Sequence, residues 1–208
     1  MIELFSSDTP NGKKISILLE EIGCDFKVTA MDLSKDDQFK PDFKKISPFG
    51  KIPVIVDHEN KESVFESGAI LMYLAKKYNK FYEVKDHNVI NQWLMAQMGT
   101  IGPMLGQHHQ FHHYNPGKSK FGEERFFKIA KRLYGELDER LASSKYLASN
   151  NYTIADIATW PWIARHKWHD IGLKNYTNLS RWYIDISKRE AVVRGYQFMN
   201  KKEFPPQP

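Results

Sequence analysis

The chain predicts an α/β domain followed by an all-helical one, a fold class that rests on three observations. Through residues 1–83 the apolar residues alternate between strand and helix periods, and beyond about Asp86 the strand period vanishes. A polar stretch over residues 80–86 separates the two regimes, and no internal repeat links them. A length of 208 residues accommodates two small domains, each able to bury a core.

IELFSS reads as a buried strand and runs into SSDTPNGKKISILLEEIG, a loop of small polar residues leading straight into an amphipathic helix. The helical register begins near Asn11, with Pro10 fixing one backbone angle and Gly12 relieving crowding. FKVTAMD is the second strand, so the first three elements form a parallel unit with a right-handed crossover. PDFKKIS follows as a short helix, PVIVDHENKESVFE as an antiparallel hairpin with a polar turn at 58–62, and SGAILMYLAKKY as a long apolar helix. The order is β-α-β-α-β-β-α. Downstream, HNVINQWLMAQMGTIGPMLGQ, FGEERFFKIAKRLYGELDERLA, TIADIATWPWIARHKW, NLSRWYIDISKR and a short EAVVRGYQFM make a helical bundle. KKEFPPQP is a tail without a core pattern. Domains are therefore expected at 1–83 and 86–208.

Composition narrows the function classes. With 41% hydrophobic and 26% charged residues the chain is an ordinary soluble globular protein, and no apolar run is long enough for a membrane span. No basic, apolar and cleavage-site sequence opens the chain, so a cytoplasmic protein is expected. Residues 1–83 carry 12 Lys and Arg against 14 Asp and Glu, whereas 84–208 carry 18 against 11. The positive charges are spread singly along helices without a nucleic-acid motif, which fits solvated faces and leaves room for a small anionic ligand. The single cysteine, Cys24, sits at the far end of the first helix and makes no thiol pair within the chain, so redox chemistry requires a thiol from elsewhere.

Three short segments of the first domain suggest a binding site. The opening loop brings Thr9, Pro10 and Asn11 to a helix N-terminus, where unpaired N–H groups and the dipole favour an anion, including a thiolate. Thr9 or Asn11 as a plain N-cap accounts for the same residues. In KIPVIVD, a cis Ile52–Pro53 bond would turn the Ile52 backbone outward to pair with an extended peptide, while a trans bond would merely open the strand. ESGAI sets Glu66 and Ser67 ahead of a helix: a carboxylate for an ammonium, and a hydroxyl with backbone N–H groups for a carboxylate, as in an amino-acid head group. Ser67 as an ordinary N-cap accounts for the same residue equally well. In the second domain, Thr153 and Asp156 of YTIADI form a capping box, with Tyr152 and Ile157 as a staple. QHHQFHHY places His108, His109, His112 and His113 as two i, i+4 pairs, but no third ligand stands at a fixed spacing and no metal is expected.

Taken together, these segments resemble the cytosolic glutathione transferases. TPNGKKI, QFKPDFKKISP, KIPVIVDH, FESGAILMYLA, GPMLGQHHQFHH and TIADIATWPW are similar to the bacterial nu class, which is related to the yeast prion-forming nitrogen regulator. The resemblance covers nearly the whole chain. It implies a thioredoxin-like glutathione-binding domain, a helical domain and a homodimer. It also implies binding of two glutathione molecules or their disulfide, and reduction of a small-molecule disulfide. Residue by residue, it puts Thr9 and Asn11 at the sulfur, Gln38 at the glycine end, Ile52 on the cysteinyl backbone and Glu66 with Ser67 on the γ-glutamyl group. Arg125 would reach the ligand across the dimer interface, with Arg132, two helical turns on, second to it. The chain departs from the family at Ser6, Ser7 and Asp8, where more apolar or aromatic residues are usual. An Asp8 carboxylate aimed at the sulfur would oppose a thiolate, and Ser7 offers a rival hydroxyl. Two other readings are conjugation of glutathione to an apolar electrophile, and a non-catalytic glutathione-binding regulator. The yeast regulator carries a long Asn-rich extension ahead of its fold, whereas the first strand here opens at Ile2.

Overall fold

A computed structural model describes residues 1–200 and 202–208. Strand β1 (Ile2–Ser6) runs parallel to β2 (Phe26–Ala30) and antiparallel to β3 (Val54–Asp57), which pairs antiparallel with β4 (Glu62–Phe65). The order β2-β1-β3-β4 is the parallel unit plus hairpin that the residue pattern predicts. Register pairs Leu4 with Val28 on one side and Ile55 on the other. The two-residue strand period then puts Ile2, Leu4 and Ser6 on one fully buried face.

Helices α1 (Pro10–Ile22), α2 (Pro41–Ile46) and α3 (Ser67–Tyr78) complete this region. Helix α1 ends at Gly23, whose left-handed φ of 74° and N–H to the Leu19 carbonyl form a C-cap. At the other end Gly12 has no substitute: a Cβ there would lie 2.3 Å from Ser6 Oγ and 2.6 Å from the Ser7 carbonyl. The bare glycine lets the helix start rest on the strand end, which fixes the loop between them.

The chain forms two compact units, Met1–Tyr82 with Lys188–Pro205, and Glu83–Ser187 with Pro206–Pro208. The last helix, α9 (Glu190–Tyr196), falls in the first of these units and packs against α1. A Cβ on Gly195 would lie 2.5 Å from Ile17 Cα, and Ser16 Oγ donates to the Gly195 carbonyl at 2.6 Å. Arg189 pairs with Glu21 through two bonds of 2.5 and 2.8 Å, and Arg194 with Glu20 at 2.7 Å. The tail packs as well: Pro205 is buried and the Pro206 carbonyl accepts from Tyr183 Oη at 2.7 Å.

The second unit holds α4 (His87–Ala96), α5 (Gly102–His108), α6 (Lys120–Ala142), α7 (Ile154–Ile163) and α8 (Thr177–Ser187). The stretch expected as one long helix is broken into α4 and α5 by a π-helical turn at Gln97–Ile101, and a second follows at His109–Tyr114. Pro103 lacks an N–H, and a Cβ on Gly102 would meet Gln97 Nε2 at 2.8 Å, so the backbone widens where a regular turn cannot close. Helix α7 stops at Ile163, short of Trp168, with Pro161 in its last turn. Its start carries the expected capping box. In the core, Trp160 stacks on Tyr183 at 5.2 Å between ring centroids and donates to the Tyr183 carbonyl at 3.1 Å.

Candidate active site

In the first unit a cleft of about 130 Å³ is lined by Asn11, Ser47, Phe49, Lys51, Ile52, Pro53, Phe65, Glu66 and Ser67. Four of the residues singled out in the sequence, Asn11, Ile52, Glu66 and Ser67, thus converge from three separate segments. The Ile52–Pro53 bond is cis. Ahead of it the buried Ser47 hydroxyl accepts from the Lys51 N–H at 2.9 Å and donates to the Lys51 carbonyl at 2.7 Å, holding the loop against α2. Gly50 has φ of 59°, and a Cβ there would lie 2.8 Å from the Gln38 carbonyl. Gln38 is therefore packed onto this loop through its backbone, although it is not among the lining residues.

At the start of α3, Glu66 occupies the N-cap position with φ of 68° and ψ of 119°, a conformation rare for a residue with a Cβ. Such backbone costs on the order of 1–3 kcal/mol and persists where the surroundings demand it. Ser67 is the first helical residue and not the N-cap, so its hydroxyl does not cap the helix. Beneath it lies Lys14, 1% exposed, with Nζ 3.3 Å from Ser67 Oγ. Burial pushes the Lys14 ammonium well below the ordinary lysine value, while the Glu66 carboxylate pulls it back up.

Thr9 is the N-cap of α1, with an extended backbone and an Oγ1 that accepts from the Gly12 N–H at 3.1 Å. That bond uses a lone pair and leaves the hydroxyl proton as a donor. No acidic residue stands in the first turn of α1, so the dipole there is open to an outside anion. The Asp8 carboxylate pairs with Lys13 at 2.9 Å, and Lys13 also meets Glu203 at 2.8 Å and lies over the Tyr196 ring at 3.5 Å. Asp8 is thus matched by a cation. At the far end of the helix, burial pushes the Cys24 thiol up, which disfavours it as a nucleophile.

In the second unit Arg125 is exposed on α6, and Arg132 pairs with Glu136 at 3.3 Å. The histidines of QHHQFHHY enter aromatic stacks. His108 stacks on His112 at 4.8 Å, His109 on His169 at 4.6 Å and His113 on Trp168 at 4.0 Å. The buried His169 ring bonds Tyr134 Oη at 2.7 Å and its carbonyl meets His108 Nε2 at 2.9 Å. Burial, then Arg165 and the neighbouring histidines, lower the His109 pKa to about 3. Among the described residues no group of three or more His, Cys, Asp or Glu could hold a metal ion.

Residues 2–76 match the family model for the glutathione S-transferase N-terminal domain, and residues 103–190 that for its C-terminal domain. The disulfide-bond oxidoreductase YfcG of Escherichia coli is 43% identical over 199 residues, covering 92% of this chain and 93% of its own. The chain belongs to the glutathione transferase family. Among solved structures, a glutathione transferase homologue from Lodderomyces elongisporus with two glutathione molecules per subunit superposes with a TM-score of 0.90. It is 32% identical and covers 95% of this chain and 98% of its own. A glutathione transferase from Pseudomonas putida with one glutathione disulfide per subunit has a TM-score of 0.88 at 35% identity, covering 96% and 92%. The cleft of this transferase includes two residues that pattern reading missed, Lys51 on its rim and Ser47 behind it. Lys14 was missed beneath it. The KK pair at the start of α1 and the Lys before IP were the available signals.

Proposed function

We propose that this transferase is a homodimeric, glutathione-dependent reductase of small disulfides. The observation that carries the reading is the convergence of Asn11, Ile52, Glu66 and Ser67 on one cleft at a helix N-terminus that holds no cysteine, so that the reactive sulfur would arrive with the ligand. The amino-acid head of glutathione would place its ammonium on Glu66 and its carboxylate on Ser67. The cysteinyl backbone would pair with Ile52, and Gln38 with Lys51 would take the glycine carboxylate. The thiolate would then lie at the start of α1, receiving hydrogen bonds from the Thr9 hydroxyl and the Asn11 amide, with the helix dipole favouring its charge. Arg125 would be supplied by a second copy of the chain.

In the first step the bound thiolate attacks one sulfur of the substrate disulfide, a mixed disulfide forms, and the other half leaves as a thiolate that takes a proton from solvent. A second glutathione thiolate attacks the mixed disulfide, which gives glutathione disulfide and the second substrate thiol. Two glutathiones are oxidised for each disulfide reduced. The protein contributes position and thiolate stabilisation, and the names of similar proteins, with two glutathiones or one glutathione disulfide bound, support this pairing. The test is reduction of a small symmetrical disulfide by glutathione, with glutathione disulfide read through a coupled reductase. A rate well above uncatalysed exchange that falls in Thr9→Ala is expected. No rate above that background overturns the reading and leaves conjugation to an apolar electrophile as the activity to assay.

A further inference from the structure

The first unit carries a second and larger cavity, a groove of about 610 Å³ between α2 and the edge strand β2. Phe5 and Thr29 stand side by side in register and both line it. The two-residue strand period turns them away from the sheet face of Leu4 and Ser6, the face on which α1 starts. The groove shares no described lining residue with the cleft, and its volume lies in the range of about 300–1,000 Å³ typical of small-molecule sites. Met31 and Phe43, 9% and 6% exposed, form the buried part of a cluster on which Phe5 and Ile46 pack, and all four line the groove. The rings of Phe5 and Phe43 lie 6.1 Å apart with 52° between their planes, so a further ring entering the groove meets aromatic edges and the Met31 thioether.

The charges at the rim are already matched. Asp37 pairs with Lys40 at 2.5 Å, Asp42 pairs with Lys45 at 2.7 Å, and the Thr29 hydroxyl donates to Glu3 at 2.5 Å. A charged ligand would have to displace one of these partners and give up its own hydration, whereas an uncharged one does neither. We propose that this groove is a second ligand site, one that takes a small uncharged aromatic molecule. It stands apart from the glutathione reading, since no residue assigned there to glutathione lines it.

The test titrates the protein with phenylnaphthylamine, an uncharged probe whose emission rises in apolar surroundings, and with anilinonaphthalene sulfonate, which has the same rings and a negative charge. Wild type should bind the uncharged probe saturably and the sulfonate about tenfold or more weakly, because the groove offers its charge no free partner. Thr29→Trp, which fills the groove from the strand side, should weaken the uncharged probe by about tenfold or more. Excess S-hexylglutathione, which the reading above seats in the cleft, should leave the probe's affinity within about twofold of its value without it. Each of four results overturns the proposal: no saturable binding, binding unchanged by Thr29→Trp, a sulfonate that binds as tightly as the uncharged probe, or full displacement by S-hexylglutathione. If Thr29→Trp does not fold, Thr29→Leu, which adds less volume, is measured in the same way, with a loss of about threefold expected.

Discussion

Two helices of this protein start with the same local device and put it to different uses. Thr9 caps α1 with φ of −131° and ψ of 158°, and Thr153 caps α7 with φ of −134° and ψ of 174°. At α7 the cap is closed from within. Asp156 accepts from the Thr153 N–H at 3.0 Å, the Thr153 hydroxyl at 3.2 Å, the Leu147 N–H at 2.9 Å and Trp182 Nε1 at 2.9 Å, all buried. At α1 no acidic residue occupies the first turn, and Asn11 faces a cleft. The lesson is that an N-cap signal says where a helix begins, while the first turn says whether its dipole is spent on folding or left for a ligand.

Breaking the closed cap should have the largest effect. Asp156→Ala leaves buried donors unpaired and is expected to cost about 3–5 kcal/mol, lowering the thermal midpoint by roughly 10 °C. A midpoint within about 2 °C of wild type would mean that the closed cap does not hold the second unit together.

Acid should single out the second unit next. Burial is the main cause that lowers the pKa values of His108, His109, His166 and His169 in the folded chain, His109 to about 3. The unfolded chain then takes up protons first, so their contribution is present above about pH 6.5 and is lost as pH falls through the folded values. Each histidine sets a slope of at most about 1.4 kcal/mol per pH unit. Asp156 runs the other way: burial raises its pKa to about 6, so its contribution is present below the ordinary aspartate value and lost as pH rises through 6. It cancels roughly one histidine over that range. Thermal melts should show stability falling from about pH 6.5 to 4.5, ahead of general carboxylate protonation, and a flat midpoint there would contradict the burial of these rings in neutral form.

At the open cap the balance between stability and activity should reverse. Thr9→Ala is expected to cost only about 1 kcal/mol of stability but to lower the disulfide-reduction rate by about 10- to 100-fold, with Thr9→Ser restoring most of it. The smallest effect is expected at Asp8. Its side chain is 40% exposed and paired with Lys13, so Asp8→Asn should change stability by less than about 1 kcal/mol and the rate by less than about threefold. A large gain in rate would show that Asp8 opposes the thiolate after all.

The alternation of IELFSS and FKVTAMD, the hairpin around 58–62 and the box in YTIADI were legible because each is written in neighbouring residues. What was not legible is nonlocal. An amphipathic α1 would leave Lys13 and Lys14 in water, yet both are 1% exposed, because Tyr196 of α9 covers Lys13 and Lys14 lies against Ser67 at the start of α3. The His segment gave a metal-like spacing, but His169 and Trp168, more than 50 residues on, decide that its rings stack with other aromatics. At the candidate site, Asn11, Ile52, Glu66 and Ser67 could be named because each stands at an element start. Ser47 and Lys51 act through loop contacts that no period encodes.

The central claim is that the start of α1 lowers the pKa of a sulfur that the protein does not own. The most direct measurement titrates the thiol of bound glutathione by its ultraviolet thiolate absorbance, in wild type and in Thr9→Ala. The account predicts a pKa at least about one unit below that of free thiol, returning toward the free value in the variant. A wild-type complex that forms and titrates like free glutathione would contradict it.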